Sequence, residues 1–345
     1  MANQETQKVD SILSSRRAML AVGGAALASL ALAPKASAQA AISDNDILNF
    51  ALNLEYLEAQ FYTLAVYGVT IDKLPTPIPV SINGGTGGYV RVKPAFTAVP
   101  FTLPTIRAYA METAIEEGKH VTFLQNTLGT KAVSMPTVDL VNSFNGLASA
   151  AGIGAAFDPF ASDANFLIGA YIFEDVGVTA YHGAALLIQD KKGILPAAVG
   201  IHAVEAYHAG LVRTSISALD ADGTLVGYTQ KISNLRAMLA NPLPAATTKV
   251  PKPVQVIDDI GITSVNVSLN TPPVTSGTTT TTATPFAATT ISDADVTAMS
   301  IAPGRSTTQV IAIVTGGNVN ADNTGGFFPS GMTGTIGAQI KTTTT

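Results

Sequence analysis

Twice in this chain a glutamate stands three residues before a histidine, in Glu117-Gly118-Lys119-His120 and in Glu205-Ala206-Tyr207-His208. On a helix, positions i and i+3 share one face, so each pair presents a carboxylate and an imidazole in the same direction. That direction is set by the neighbours. The first pair continues the stripe Ile106, Ala110, Thr113, Glu117, His120, Leu124, and the second continues Ala198, Ile201, Glu205, His208, Val212. A third stripe, Leu167, Tyr171, Glu174, Val178, Tyr181, Ala185, carries one more acid. The apolar stripe of an amphipathic helix faces the core, so three helices each bury a glutamate. Unpaired buried carboxylates are costly, and divalent cations are the partners that several such groups can share.

Holding two cations in a bundle core takes carboxylates and histidines from four facing helices. The fourth is expected over residues 43–67, where Ser43 and Asp44 give a start signal and Gly68 a stop; its acid is Glu55 or Glu58. Four carboxylates against two M²⁺ ions leave a neutral cluster. The chain has no cysteine, so thiolate ligands, disulfides and cysteine nucleophiles are excluded. A mixed oxygen and imidazole set suits iron or manganese better than calcium, which takes oxygen ligands.

Helical periodicity extends over residues 43–67, 105–128, 162–189 and 195–219, with a further amphipathic piece over 227–239. The fold expected is an all-α core, an up-down four-helix bundle. Residues 68–103 are rich in Pro and Gly and read as a long connection with one short hairpin; a short helix is expected over 138–144. Beyond residue 242 the composition turns to Thr, Pro, Ala, Gly and Val, with β-prone pieces at 264–269 and 309–314. No His or Glu occurs after residue 220, so this extension reads as a cover, spacer or assembly element. Glu112, Glu116 and Lys119 read as water-facing charges. His182 and His202 read as satisfied helix histidines, with His202, one turn before Glu205, also placed to support a ligand; Tyr62, Tyr171, Tyr181 and Tyr207 read as core residues with satisfied hydroxyls, the alternative being that they hydrogen-bond ligands or carry an electron.

Only 12% of residues are charged and the formal net charge is −5, which leaves no basic surface for nucleic acid. Arg16 and Arg17 precede an Ala/Gly/Leu-rich stretch that ends in Ala36-Ser37-Ala38, the pattern of a twin-arginine signal peptide cleaved near Gln39. The expected division is therefore a signal over 1–38, the bundle over 39–242 and the extension over 243–345. The location expected is periplasmic or extracellular, with no membrane span after signal removal. A homo-oligomer is compatible with this reading.

Three stretches, ILNFALNLEYLEAQFY (47–62), FEDVGVTAYHGAA (173–185) and AVEAYHAG (203–210), resemble the ferritin-like superfamily, most closely the exported bacterial ferritin-like proteins akin to desiccation-related proteins. EEGKHVTFL adds to the likeness, and GGFFPSGMTGTI (325–336) resembles the tail of many such bacterial proteins. The resemblance implies that the first helix supplies a ligand glutamate followed seven residues later by tyrosine, a pattern that falls on Glu55 and Tyr62 and leaves Glu58 in reserve. It implies the remaining ligands Glu117, His120, Glu174, Glu205 and His208 around two iron or manganese ions. The long first connection and the large extension are not features of cage-forming ferritins. Two functions follow: oxidation of Fe²⁺ or consumption of oxygen or peroxide, or metal binding in a stress-protective protein.

Overall fold

The first helix begins where Ser43 and Asp46 cap each other. The Ser43 hydroxyl accepts from the Asp46 N–H, and the Asp46 carboxylate accepts from the Ser43 N–H at 2.9 Å. The helix, α1 (Asp44–Tyr67), ends at Gly68, whose φ of 70° is the left-handed conformation that glycine adopts without strain. The computed structural model describes residues 42–240, 260–264, 285–286, 302, 304–317 and 324–335. Within these residues α2 (Pro104–Leu128) starts with proline at its first turn. A short helix, α3 (Asn142–Ala150), precedes α4 (Asp163–Ala185), which is capped by Ser162; α5 (Ile194–Leu219) and α6 (Thr224–Ala240) follow.

Helix α1 packs along α2, and α4 along α5; the two pairs meet chiefly through α1 and α4. Every residue of α1 from Ile47 to Ala65 is buried, and so is every residue of α4 from Phe166 to Tyr181. A helix buried all round needs cover beyond its bundle partners. For α1 the loops supply it. Asn49 donates to the Lys131 carbonyl and accepts from the Val133 N–H, and Gln60 accepts from the Ile71 N–H. On α4 the cover is α6, whose Arg236 donates to the Tyr171 carbonyl, and the C-terminal α7 (Thr307–Val314).

The expected hairpin within residues 68–103 does not form. Instead β1 (Val90–Arg91) pairs in parallel with β2 (Val138–Asp139), with Val90 opposite Val138 and Arg91 opposite Asp139. An Arg91–Asp139 ion pair of 2.8 Å clamps the two segments. The helix expected over 138–144 starts later, at Asn142, because the Asp139 carboxylate accepts the N–H groups of Val141 and Asn142 and so ends the strand. Likewise α4 stops at Ala185 rather than 189. The Asp44 carboxylate takes the N–H groups of Gln189 and Asp190 there, holding the turn in a non-helical form.

The largest correction lies in the extension. The segment over 309–314, expected as β, is the buried helix α7, started by a Ser306–Gln309 capping box. Upstream, β3 (Thr263–Ser264) pairs antiparallel with β4 (Pro285–Phe286); residues 265–269 lie outside the described residues. The described extension sits on the bundle. Phe327 packs its ring against Phe144 at 5.2 Å and Phe173 at 4.9 Å, and Asn53 of α1 bonds with Thr333. Burying a phenylalanine this fully contributes about 1.5–3 kcal/mol. The signal segment and the boundary expected at 242 lie outside the described residues. Among the described residues no helix is long and apolar enough to cross a membrane.

Candidate metal centre

All six side chains named from the sequence converge between α1, α2, α4 and α5. Glu55, Glu117, Glu174 and Glu205 are fully enclosed, His208 is 1% exposed and His120 8%. Their ligand atoms fall into two groups, each within 4.8 Å: Glu55, Glu117, His120 and Glu205, and Glu117, Glu174 and His208. Glu117 belongs to both. Its Oε2 lies 3.4 Å from His120 Nδ1 and its Oε1 lies 3.0 Å from His208 Nδ1. His120 Nδ1 also faces Glu55 Oε2 at 3.2 Å and Glu205 Oε1 at 3.7 Å, while His208 Nδ1 faces Glu174 Oε2 at 3.4 Å. The two imidazole rings are 6.5 Å apart, one for each group.

Glycine makes room for this arrangement. A Cβ at Gly177 of α4 would stand 2.1 Å from Glu205 Oε2, so the α5 carboxylate occupies the volume that a side chain on α4 would take. Beside Glu174, Asp175 accepts from Arg213 of α5 and Arg236 of α6, each at 2.7 Å, which ties the three helices together at the level of the site.

Protons and ion pairs balance the charges among these side chains. Burial raises Glu55 to about 7 against the pull of His120, and burial together with neighbouring carboxylates raises Glu205 and Glu58 well above the usual range. Glu174 is raised by burial too. For Glu117, burial is outweighed by His120 and His208, which hold it below the ordinary carboxylate value. Burial would lower both histidines, but Glu55 and Glu117 lift His120 to about 10, and Glu174 and Glu117 lift His208 to about 12. Even so, both oxygens of Glu117 and of Glu205, Glu174 Oε2 and His208 Nδ1 have no aligned hydrogen bond among the described residues. Enclosed lone pairs without donors, at mutual distances a cation can span, form a donor set that fits bound metal.

A family model described as Ferritin-like domain matches residues 43–218, from the cap of α1 to the last turn of α5. The chain belongs to the ferritin-like domain family. Desiccation-related protein PCC13-62 of Craterostigma plantagineum is similar to it, 32% identical over 209 residues, 58% of this chain and 63% of that protein. The ferritin-like chain therefore covers less than two thirds of that relative's length. No solved structure matches it.

Several residues behave differently from the sequence expectation. Glu116, read as facing water, is only 31% exposed and its Oε2 lies 2.7 Å from His208 Nε2. Glu58 is 5% exposed and is raised by burial and then by Glu117, Glu174 and Glu55, so it is a fifth carboxylate beside this cluster, outside both groups. Of the two readings of the tyrosines, Tyr62 and Tyr181 follow the one in which the hydroxyl bonds the acid cluster: Tyr62 donates to Glu174 and Tyr181 to Glu55. Tyr171 bonds Ser233 and Arg213 in the core as expected, whereas Tyr207 is 48% exposed and donates to Glu112. His202 is not satisfied: its Nε2 is buried without a partner among the described residues, and its ring lies 5.9 Å from that of His182. Glu174 and Tyr181 repeat the seven-residue spacing of Glu55 and Tyr62.

Proposed function

We propose that this is an exported ferritin-like protein that holds two iron or manganese ions among Glu55, Glu117, His120, Glu174, Glu205 and His208, and that oxidises metal or reacts with oxygen or peroxide there. The observation that carries the reading is the set of enclosed Glu117, Glu174 and Glu205 oxygens without hydrogen-bond donors, facing two imidazoles. Two such ions supply redox equivalents next to a small oxidant when bound. The chain's own residues do the rest. Four carboxylates offset the ionic charge, Glu117 reaches both positions, and Tyr62 and Tyr181 orient Glu174 and Glu55. We assign the twin-arginine segment over 1–38 to export into the periplasm or beyond, 39–242 to the ferritin-like part and 243–345 to an extension.

A second reading is favoured by the name of the relative in Craterostigma plantagineum: a desiccation-protective protein that keeps the bundle to sequester metal, with the extension serving assembly. The test is elemental analysis of protein from its own periplasm, then anaerobic titration with Fe²⁺ or Mn²⁺ and an assay of oxygen and peroxide consumption. About two ions per chain with turnover supports the first reading, and about two ions without turnover the second. Absence of metal in wild type, or full loading of a Glu117→Ala/Glu205→Ala double variant, overturns both.

A further inference from the structure

We propose that Glu116 is a positioning residue for one of the two cations: it holds the outer nitrogen of His208 so that the inner nitrogen is fixed toward Glu117 and Glu174. This inference rests on the metal reading above and extends it to a residue outside the ligand set. His208 is enclosed, with Nδ1 facing Glu117 Oε1 at 3.0 Å and Glu174 Oε2 at 3.4 Å, and Nε2 facing Glu116 Oε2 at 2.7 Å. The ring thus has carboxylates at both nitrogens.

An imidazole that binds a cation through Nδ1 must carry its remaining hydrogen on Nε2, and the only hydrogen-bond partner of Nε2 among the described residues is Glu116. An anionic acceptor there fixes the tautomer, stops the ring from rotating and makes Nδ1 a better donor to the cation. Its reach explains its exposure. Glu116 neighbours Glu117 on α2 but points about 100° further round the helix, so it leaves the core and meets α5 at the edge of the bundle. One turn earlier the same edge carries a second contact, Tyr207 Oη donating to Glu112 Oε1 at 3.1 Å, which involves no ligand nitrogen. His120 has no corresponding carboxylate on its Nε2 among the described residues, so the two positions are unequal by construction.

The experiment is a chelator-competition titration of the full chain with Mn²⁺, read in wild type, Glu116→Ala, Glu116→Gln and Tyr207→Phe, with the ¹⁵N resonances of His208 followed in parallel on protein loaded with diamagnetic Zn²⁺. Glu116→Ala should weaken one of the two ions by about 10- to 100-fold and leave the other unchanged. Glu116→Gln keeps an oxygen acceptor and should recover most of the loss, and Tyr207→Phe should bind as wild type. The loaded wild type should show Nε2 of His208 protonated, with that preference weakened in Glu116→Ala. Wild-type affinity at both positions in Glu116→Ala, equal weakening of both, or no recovery in a folded Glu116→Gln would overturn the inference alone. No ion bound by wild type would overturn it together with the metal reading.

Discussion

Tyr62 on α1 donates its phenolic hydrogen to Glu174 on α4. The contact is reciprocated, because Tyr181 on α4 donates to Glu55 on α1. In each helix the tyrosine stands two turns beyond that helix's own glutamate, yet it serves the glutamate of the other. The centre is therefore cross-braced by a near two-fold exchange between the two inner helices. Tyr62→Phe and Tyr181→Phe should each lower the stability of the ion-free protein by about 1–3 kcal/mol, since each leaves a buried carboxylate oxygen without its donor. Chemical denaturation of the two variants should give similar losses, and a loss in only one would argue against equivalent roles.

Gly177→Ala tests whether Glu205 needs the space on α4. Alanine in place of a helical glycine ordinarily gains up to about 1 kcal/mol, but here the new Cβ meets Glu205 Oε2 at 2.1 Å. The variant should stay helical and lose affinity for at least one ion. Gly200→Ala is the control, because a Cβ there meets nothing within 4 Å, and it should bind metal normally with unchanged or raised stability.

Glu58→Gln should raise the melting temperature of the ion-free protein, because it removes a buried acid that Glu117, Glu174 and Glu55 repel. It should still load about two ions, since Glu58 belongs to neither ligand group. Loss of an ion by direct titration would make Glu58 a ligand instead.

The pH dependence follows from the raised carboxyls. For Glu55, raised to about 7 by burial, the stabilisation is full below the unfolded value of 4.5 and is lost as pH rises through about 7. Glu205 and Glu58 act in the same direction. His120, lifted to about 10, acts in the same direction: its contribution is full below its ordinary value of 6.5 and is lost progressively as pH rises from there through about 10. Thus the ion-free protein should melt at progressively lower temperature between about pH 5 and about pH 8, while the increment from added Mn²⁺ should grow, because binding needs the carboxylates ionised. Scanning calorimetry with and without metal checks both slopes; an ion-free protein that gains stability across this range contradicts the assignment.

Phe327→Ala tests how firmly the extension is seated. With Phe144 and Phe173 against its ring, truncation should cost about 3–5 kcal/mol, measured by urea denaturation. A cost under about 1 kcal/mol would mean that the cover contributes little to the bundle.

What the sequence determined by itself is the part governed by period. The i, i+3 spacing of Glu117 with His120 and of Glu205 with His208 places each pair on one helical face, and the surrounding apolar stripe turns that face inward whatever the partner helix is. Helix starts and stops were legible for the same local reason at Ser43 and Gly68. The Ser306–Gln309 capping box was equally local, but the β-branched run after it suggests a strand, and burial against the bundle settles it as helix. Tertiary structure decided everything that depends on which atom meets which across helices. Glu116 and Glu117 are adjacent in the chain; only the approach of α5 gives one a contact at the outer nitrogen of His208 and the other a place at the inner one. The place of Glu55 inside the acid and histidine cluster with Glu58 outside both groups, the exchange of tyrosines between α1 and α4, and the space left by Gly177 likewise depend on helix rotation and separation, which no single segment encodes.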